Sequence, residues 1–216
     1  MAEVHPENAL KQSRWITPAT QQRSQQTLER VLDATGKLLA QRAFREISVA
    51  DIAKASRCSP PSIYARFENK PALLGALYER HTISQRQLYE QLFAIERWRD
   101  TGLGDILRLA FMQIVDSHRQ EQGLIRAFLE EASENQSFRA AWAEQGDFLH
   151  QQVCQLVLSR PQEYRHPAPE DAIRMGLEAG FAVIAIRVLM RRIDRPHTKA
   201  LTSELVSVML KHLEVV

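Results

Sequence analysis

Apolar residues recur at three- and four-residue spacing along nearly the whole chain, and no stretch alternates as a half-buried strand does. Leu28, Val31, Leu32, Thr35, Leu38 and Leu39 trace one helix face, with Thr27 as its expected cap. Phe44 and Ile47 plug the connection that follows. Ser48 reads as an N-cap with Asp51 three residues on, opening a two-turn helix whose inner face is Val49, Ile52 and Ala53. After a turn at Arg57-Cys58, Ser59 caps a second short helix with Pro60 at its first position, where a missing N–H costs nothing. Pro61 is tolerated for a similar reason, since the second helical N–H has no intrahelical partner either. Asn69 then caps a long helix from Lys70 or Pro71 to about Arg97. Further helices are predicted near 103–119, 123–133, 137–159, 170–192 and 198–214, with the main break in the proline-rich loop 161–169. The expected fold class is all-α.

Composition narrows this little. The 216 residues, 44% hydrophobic and 25% charged, suffice for a buried core without metal or disulfide staples. Cys58 and Cys154 form no CxxC motif, and the seven histidines contain no HExxH or HxxxH pair, so neither metal nor cofactor is expected. Cys58 reads as a small apolar plug. Residues 1–18 lack the apolar stretch of a secretion signal, and the run 175–190 is too short to span a bilayer and carries Glu178 and Arg187. A cytoplasmic protein with no membrane partner is the expectation. Charge is unevenly spread: residues 1–80 hold 12 Lys and Arg against 8 Asp and Glu, the remainder 16 against 18. A basic end fits a polyanion partner.

The informative stretch is 48–67, SVADIAKASRCSPPSIYARF. Two short helices joined by a sharp turn have the shape of a helix-turn-helix, in which the first helix braces the second against the DNA major groove. From about Thr27 to Arg80 the chain resembles the DNA-binding domain of the TetR-type transcriptional regulators. The matching residues are Leu38-Leu39, Phe44, Ser48-Val49, Asp51-Ile52-Ala53, Ser59, Ser62-Ile63-Tyr64, Phe67, Asn69-Lys70 and Leu73-Leu74. The resemblance implies a flexible arm over 1–24, a DNA-binding domain over 25–80, and a helical effector-binding and dimerisation domain over 81–216. It departs from the family at two points. Arg57 stands where glycine is usual, at a cost of roughly 1 kcal/mol if φ is positive there. The Pro60-Pro61 pair removes two donors from the start of the recognition helix.

By resemblance, Tyr64 and Lys70 contact phosphates and Ser48 offers its helix N-terminus to the backbone. Ser59, Ser62, Ala65 and Arg66 are candidates to face base edges, Arg66 being equally a guanine reader or a phosphate contact. Pro60 and Ile63 are counted with the DNA-binding set, Ile63 also as part of the core packet with Leu39, Phe44 and Ile52. Lys54 and Arg57 are backbone contacts or solvated charges, and Arg14 and Arg23 lie on the arm. Phe111, Met112, Phe128, Trp142 and Phe148 are candidates to line an effector cavity, with His118, Arg126, Glu130 and Glu131 as polar handles. The helix 170–192 is apolar nearly all round, so one stripe needs cover from outside its own domain. Gly176, Gly180 and Ile184, with Leu201, Leu205 and Met209 of the last helix, either pack within one subunit or meet across a two-fold axis, and the resemblance favours the dimer. Together these imply a homodimeric, effector-responsive repressor on a palindromic operator of double-stranded DNA. An all-helical enzyme, or a helical interaction protein without specific DNA binding, are the rival readings.

Overall fold

The computed structural model describes residues 13–17, 22–192 and 195–216, the side chains of 22–24 and 195–197 excepted. Among the described residues the regular structure is α-helical. The helices are α1 (Gln22–Leu39), α2 (Val49–Ser56), α3 (Pro60–Tyr64), α4 (Lys70–Leu92), α5 (Leu103–Gln120), α6 (Gln122–Ala132), α7 (Gln136–Leu158), α8 (Pro169–Leu189) and α9 (Arg195–Leu213). Short 3-10 turns occupy Phe44–Glu46 and Ile95–Trp98, and one isolated antiparallel bridge joins Tyr164 to Val215.

Two boundaries differ from the sequence reading. Helix α1 starts at Gln22, so Thr27 lies inside it, its hydroxyl accepting from Arg30 at 3.2 Å rather than capping. Apolar periodicity begins only at Leu28, whereas the polar residues before it are still competent helix formers. Helix α4 stops at Leu92 rather than near Arg97. The buried Trp98 indole donates to the Leu92 carbonyl at 2.6 Å and so takes one of the acceptors left over at the helix end.

The chain forms two compact units. The first holds the described residues up to Gln85 together with Gly123–Arg139, so the segment 123–139, counted with the C-terminal part in the sequence reading, packs with the N-terminal helices. Its core includes Leu28, Val31, Leu32, Leu39, Phe44, Ile52, Ile63, Phe67, Leu73, Leu74 and Tyr78, with Leu124, Ile125 and Phe128 of α6 and Phe138 of α7. The Phe128 ring stacks on Tyr78 at 3.4 Å and tilts against Phe138 at 4.9 Å. A side chain at Gly123 would collide with the Leu39 carbonyl, which explains glycine at the start of α6. Arg80 ties α4 to α1, reaching Glu29 and Asp33 at 2.8 Å each.

Residues 13–17, read from sequence as part of a mobile arm, are packed into this unit. Ser13 is buried and its hydroxyl donates to Glu79. The Trp15 indole lies over Gly75, where any Cβ would overlap it, and 4.7 Å from the Phe138 ring. The Thr17 N–H donates to the Arg66 carbonyl at 2.8 Å. Polar composition suggested mobility, but one large aromatic ring over a glycine brings enough apolar burial to pin the segment.

The second unit takes Arg86–Gln122 and Ala140–Val216. Tyr89, Leu103, Ile106, Phe111, Val153, Ile173, Val206, Met209 and Leu213 are among its core residues. Glu163 accepts from the Leu103 N–H at 2.5 Å, supplying the side-chain cap that Gly102 lacks, and is itself held by Arg160 at 2.8 Å.

Candidate nucleic-acid interface

The short helices over 48–67 are each nucleated by a serine. The Ser48 hydroxyl accepts from the Asp51 N–H at 3.0 Å and the Asp51 carboxylate accepts from the Ser48 N–H at 2.9 Å, a reciprocal capping box. The Ser48 N–H, then its hydroxyl, hold the Asp51 carboxyl below the usual carboxylate range. Ser59 caps α3 by accepting from the Ser62 N–H at 3.3 Å, with Pro60 and Pro61 in the first two helical positions.

Between them, Arg57 ends α2 in the left-handed region at φ 55°, ψ 37°. Its N–H and that of Cys58 turn back to the Lys54 and Ala53 carbonyls at 3.3 and 3.0 Å, satisfying acceptors at the helix end. Arginine therefore adopts the conformation that favours glycine and bears the associated strain. Cys58 is half-buried, its thiol against the Ser56 carbonyl.

This scaffold sorts the candidate residues by face. Ser48, Lys54, Arg57, Ser59, Pro60, Ser62 and Tyr64 are exposed. Tyr64 is 55% accessible, which rules out a role as a core aromatic. Ile63 is only 1% exposed and belongs to the core beside Phe67, so it leaves the reading face; in a five-residue helix the apolar position must anchor rather than read.

Arg66 is half-buried and engaged with the protein, and burial pulls its guanidinium pKa down. The Lys70 ammonium donates to the Phe44 carbonyl at 2.6 Å and sits 4.2 Å from the centre of the Phe44 ring. Burial lowers its pKa and the Glu131 carboxylate opposes that shift. An ammonium has three N–H donors, so this bond leaves two for a phosphate. Arg14 is described and engaged, while the Arg23 side chain lies outside the described residues.

The expected effector residues do not share one core. Phe128 is buried in the first unit, where Arg126, Glu130 and Glu131 also lie. Phe111 and His118 are buried in the second, with Phe148 packed against its core and Trp142 half-buried. Met112 is 47% exposed and faces solvent. The His118 imidazole bonds the Ile114 carbonyl at 2.8 Å and lies 5.5 Å from the Phe181 ring; burial lowers its pKa and keeps it neutral.

The residues expected across a two-fold axis mostly face home. Ile184, Leu201 and Met209 are buried in their own chain, a Cβ at Gly176 would run into the Met209 thioether, and one at Gly180 would lie 3.8 Å from Leu205 Cδ2. An all-round apolar helix has two stripes, and the small residues that invite close approach serve the α8–α9 contact within the chain. The outward stripe of α8 is Met175, Val183, Ile186 and Leu189, continued by Met190.

Sequence reading missed Trp15 and Gly75 as a pair. The available signal was a lone tryptophan in a polar segment and a glycine inside the otherwise strong helix-forming run Ala72-Leu73-Leu74-Gly75-Ala76-Leu77.

Residues 31–77 match the family described as bacterial regulatory proteins, tetR family. The HTH-type transcriptional repressor ComR of Escherichia coli is 33% identical over 75 residues, 34% of this chain and 36% of that protein. Matches to the curated relatives span about a third of the relatives' length. Among solved structures, a chain from Mesorhizobium loti assigned to the TetR family superposes with a TM-score of 0.72 at 14% identity, covering 88% of this chain and 98% of that one. FadR of Bacillus subtilis, solved with stearoyl-CoA, gives 0.65 at 15% identity over 85% and 98%. At such identities the superpositions speak for the fold. The segment 31–77 therefore resembles the tetR family of bacterial regulatory proteins, and the helical fold around it is one that solved structures share.

Proposed function

We propose that this chain is a DNA-binding transcriptional regulator, a homodimeric repressor that sits on a palindromic operator and is released by a small-molecule effector. The observation that carries the reading is the face of α3. Ser59, Ser62 and Tyr64 stand exposed on a helix anchored from behind by Ile63 and Phe67, with the exposed cations Lys54 and Arg57 on the preceding helix and turn. Phosphate-seeking charge and hydroxyls surround a short base-reading element, which is what major-groove docking needs. With Pro60 and Pro61 contributing no backbone donors, the side chains must do the reading and phosphate contacts supply much of the affinity.

Homodimerisation is supported by the outward stripe Met175, Val183, Ile186 and Leu189, an apolar surface unusual for a solitary subunit. Ile186→Arg should shift sedimentation from dimer to monomer and abolish tight operator binding. A wild-type monomer at micromolar concentration would remove this part of the reading. Repression and effector release rest on likeness to ComR and to the stearoyl-CoA complex of FadR. Selection of bound sites from a random duplex pool tests the whole: half-sites about 34–36 Å apart are expected, one helical turn. Enrichment of no palindrome would leave a helical protein that binds DNA only through charge.

A further inference from the structure

Lys70, read above as a contact to the DNA backbone, already has partners within the fold. Its ammonium is parked on the turn that precedes α2, donating to the Phe44 carbonyl at 2.6 Å and lying 4.2 Å from the centre of the Phe44 ring. These two contacts fix the side chain without an acid. An acid nevertheless stands nearby. Helix α6 packs on α4 through the Phe128–Tyr78 stack at 3.4 Å, and on the end of α1, where a Cβ at Gly123 would run into the Leu39 carbonyl. Glu131, one turn beyond Phe128, is half-buried, and its carboxylate and the Lys70 ammonium act on each other electrostatically. The ion pairs of the described residues do not join the two. All of these residues lie in the first unit.

That placement works against the role given to Lys70. Phe44 sets the orientation of the ammonium, so Glu131 is not needed to hold it. Its charge does lower the positive potential at the point where a phosphate would arrive. Half-burial makes the charge count for more than one in open solvent, because less water and salt screen it. A carboxylate and a phosphate are the same kind of acceptor for an ammonium, which has two N–H donors left after Phe44. Nor does the acid serve its own helix. Glu130 and Glu131 stand in the last turn of α6, at the negative end of the helix dipole, where carboxylates are unfavourable.

We propose that the Glu131 carboxylate competes with operator phosphate for the Lys70 ammonium, an autoinhibitory contact that limits the affinity of this chain for DNA. This rests on the reading of Lys70 as a backbone contact and adds the residue that restrains it.

Fluorescence anisotropy of the full chain on a selected palindrome and on a scrambled duplex tests it, with urea midpoints to check that each variant folds. Glu131→Gln is nearly isosteric and should tighten both duplexes about 10-fold at low salt, with base preference unchanged. Glu131→Ala should tighten them as well, whereas Glu131→Asp keeps the charge and should stay within about 2-fold of wild type. Glu134→Gln, on the exposed side of the same acidic end, should gain no more than about 2-fold. The discriminating measurement is the double variant. In a Lys70→Ala background, Glu131→Gln should gain no more than Glu134→Gln does in wild type, because the ammonium it competed for is gone.

Unchanged or weaker DNA binding in both Glu131→Gln and Glu131→Ala would overturn the proposal, since the carboxylate would then be supporting Lys70. An equal gain with and without Lys70 would overturn it too, reducing Glu131 to general repulsion. The failure of the underlying reading looks different. If Lys70→Ala changes neither affinity nor salt slope, Lys70 is no backbone contact and both readings fall. If Lys70→Ala weakens binding while Glu131→Gln brings no gain, this inference alone falls.

Discussion

The segment 48–67 and the Arg86–Gln145 contact hold their side chains in opposite ways. In the first, each candidate side chain is fixed by neighbours within a few residues: Ser48 by Asp51, Ser59 by Ser62, Tyr64 beside the anchoring Ile63. In the second, the partners are separated by 59 residues of chain and meet only once α4 and α7 have packed. Local chemistry leaves a sequence signature and long-range chemistry leaves none. The N-terminal segment 13–17 is an intermediate case, short and compact but dependent on Gly75, Glu79, Phe138 and Arg66 from three other stretches.

That intermediate case offers the largest effect. Trp15→Ala should destabilise the protein by about 3 kcal/mol, as loss of a packed aromatic does, read as a lowered urea midpoint. Because Thr17 holds the Arg66 carbonyl, operator affinity should fall as well. A change below about 0.5 kcal/mol, the size of an ordinary surface substitution, would return residues 13–17 to the status of a dangling arm.

A pH effect sharpens the contrast from the other side. Burial holds the His118 imidazole below its ordinary 6.5, the Ile114 carbonyl opposing that shift. The unfolded chain then binds a proton that the folded chain refuses. His118 is without effect on stability well above 6.5 and costs stability as pH falls below it, until the folded pKa is reached. His118→Leu should flatten the acid limb of a melting-temperature profile below about pH 6.5. An unchanged limb would mean that water reaches the ring.

Smaller still is the turn. Arg57→Gly should raise stability by about 1 kcal/mol, since glycine enters the φ 55° region without the Cβ penalty. Loss of stability would show that the arginine side chain contributes more than its backbone costs. Tyr64→Phe, at an exposed position, should leave the urea midpoint within about 0.5 kcal/mol of wild type.

Helices from α5 onward lie within a few residues of where spacing put them, because long amphipathic runs and the proline-rich loop 161–169 mark their own limits. Caps at Ser48, Ser59 and Asn69 were equally legible, the last accepting from the Ala72 N–H at 2.8 Å. Side-chain direction was legible only where the pattern had one apolar stripe. Helix α8 has two, so Ile184 and Met209 were assigned outward although they pack at home. Ile63 was grouped with its exposed neighbours for want of a longer helix to reveal its face. Phe128 was assigned by chain position, yet it packs with Tyr78 in the unit that carries α3.

The central claim is that 48–67 reads DNA while Lys70 and Tyr64 hold its backbone. Fluorescence anisotropy on a selected palindrome and a scrambled duplex, across a salt series, tests it most directly. Wild type should prefer the palindrome strongly. Lys70→Ala should weaken both duplexes alike and reduce the salt slope by about one unit. Arg66→Ala should relax preference at one base pair per half-site by about 1–3 kcal/mol if it is released to read guanine. Equal affinity of the wild type for palindromic and scrambled DNA at every salt concentration would contradict the account.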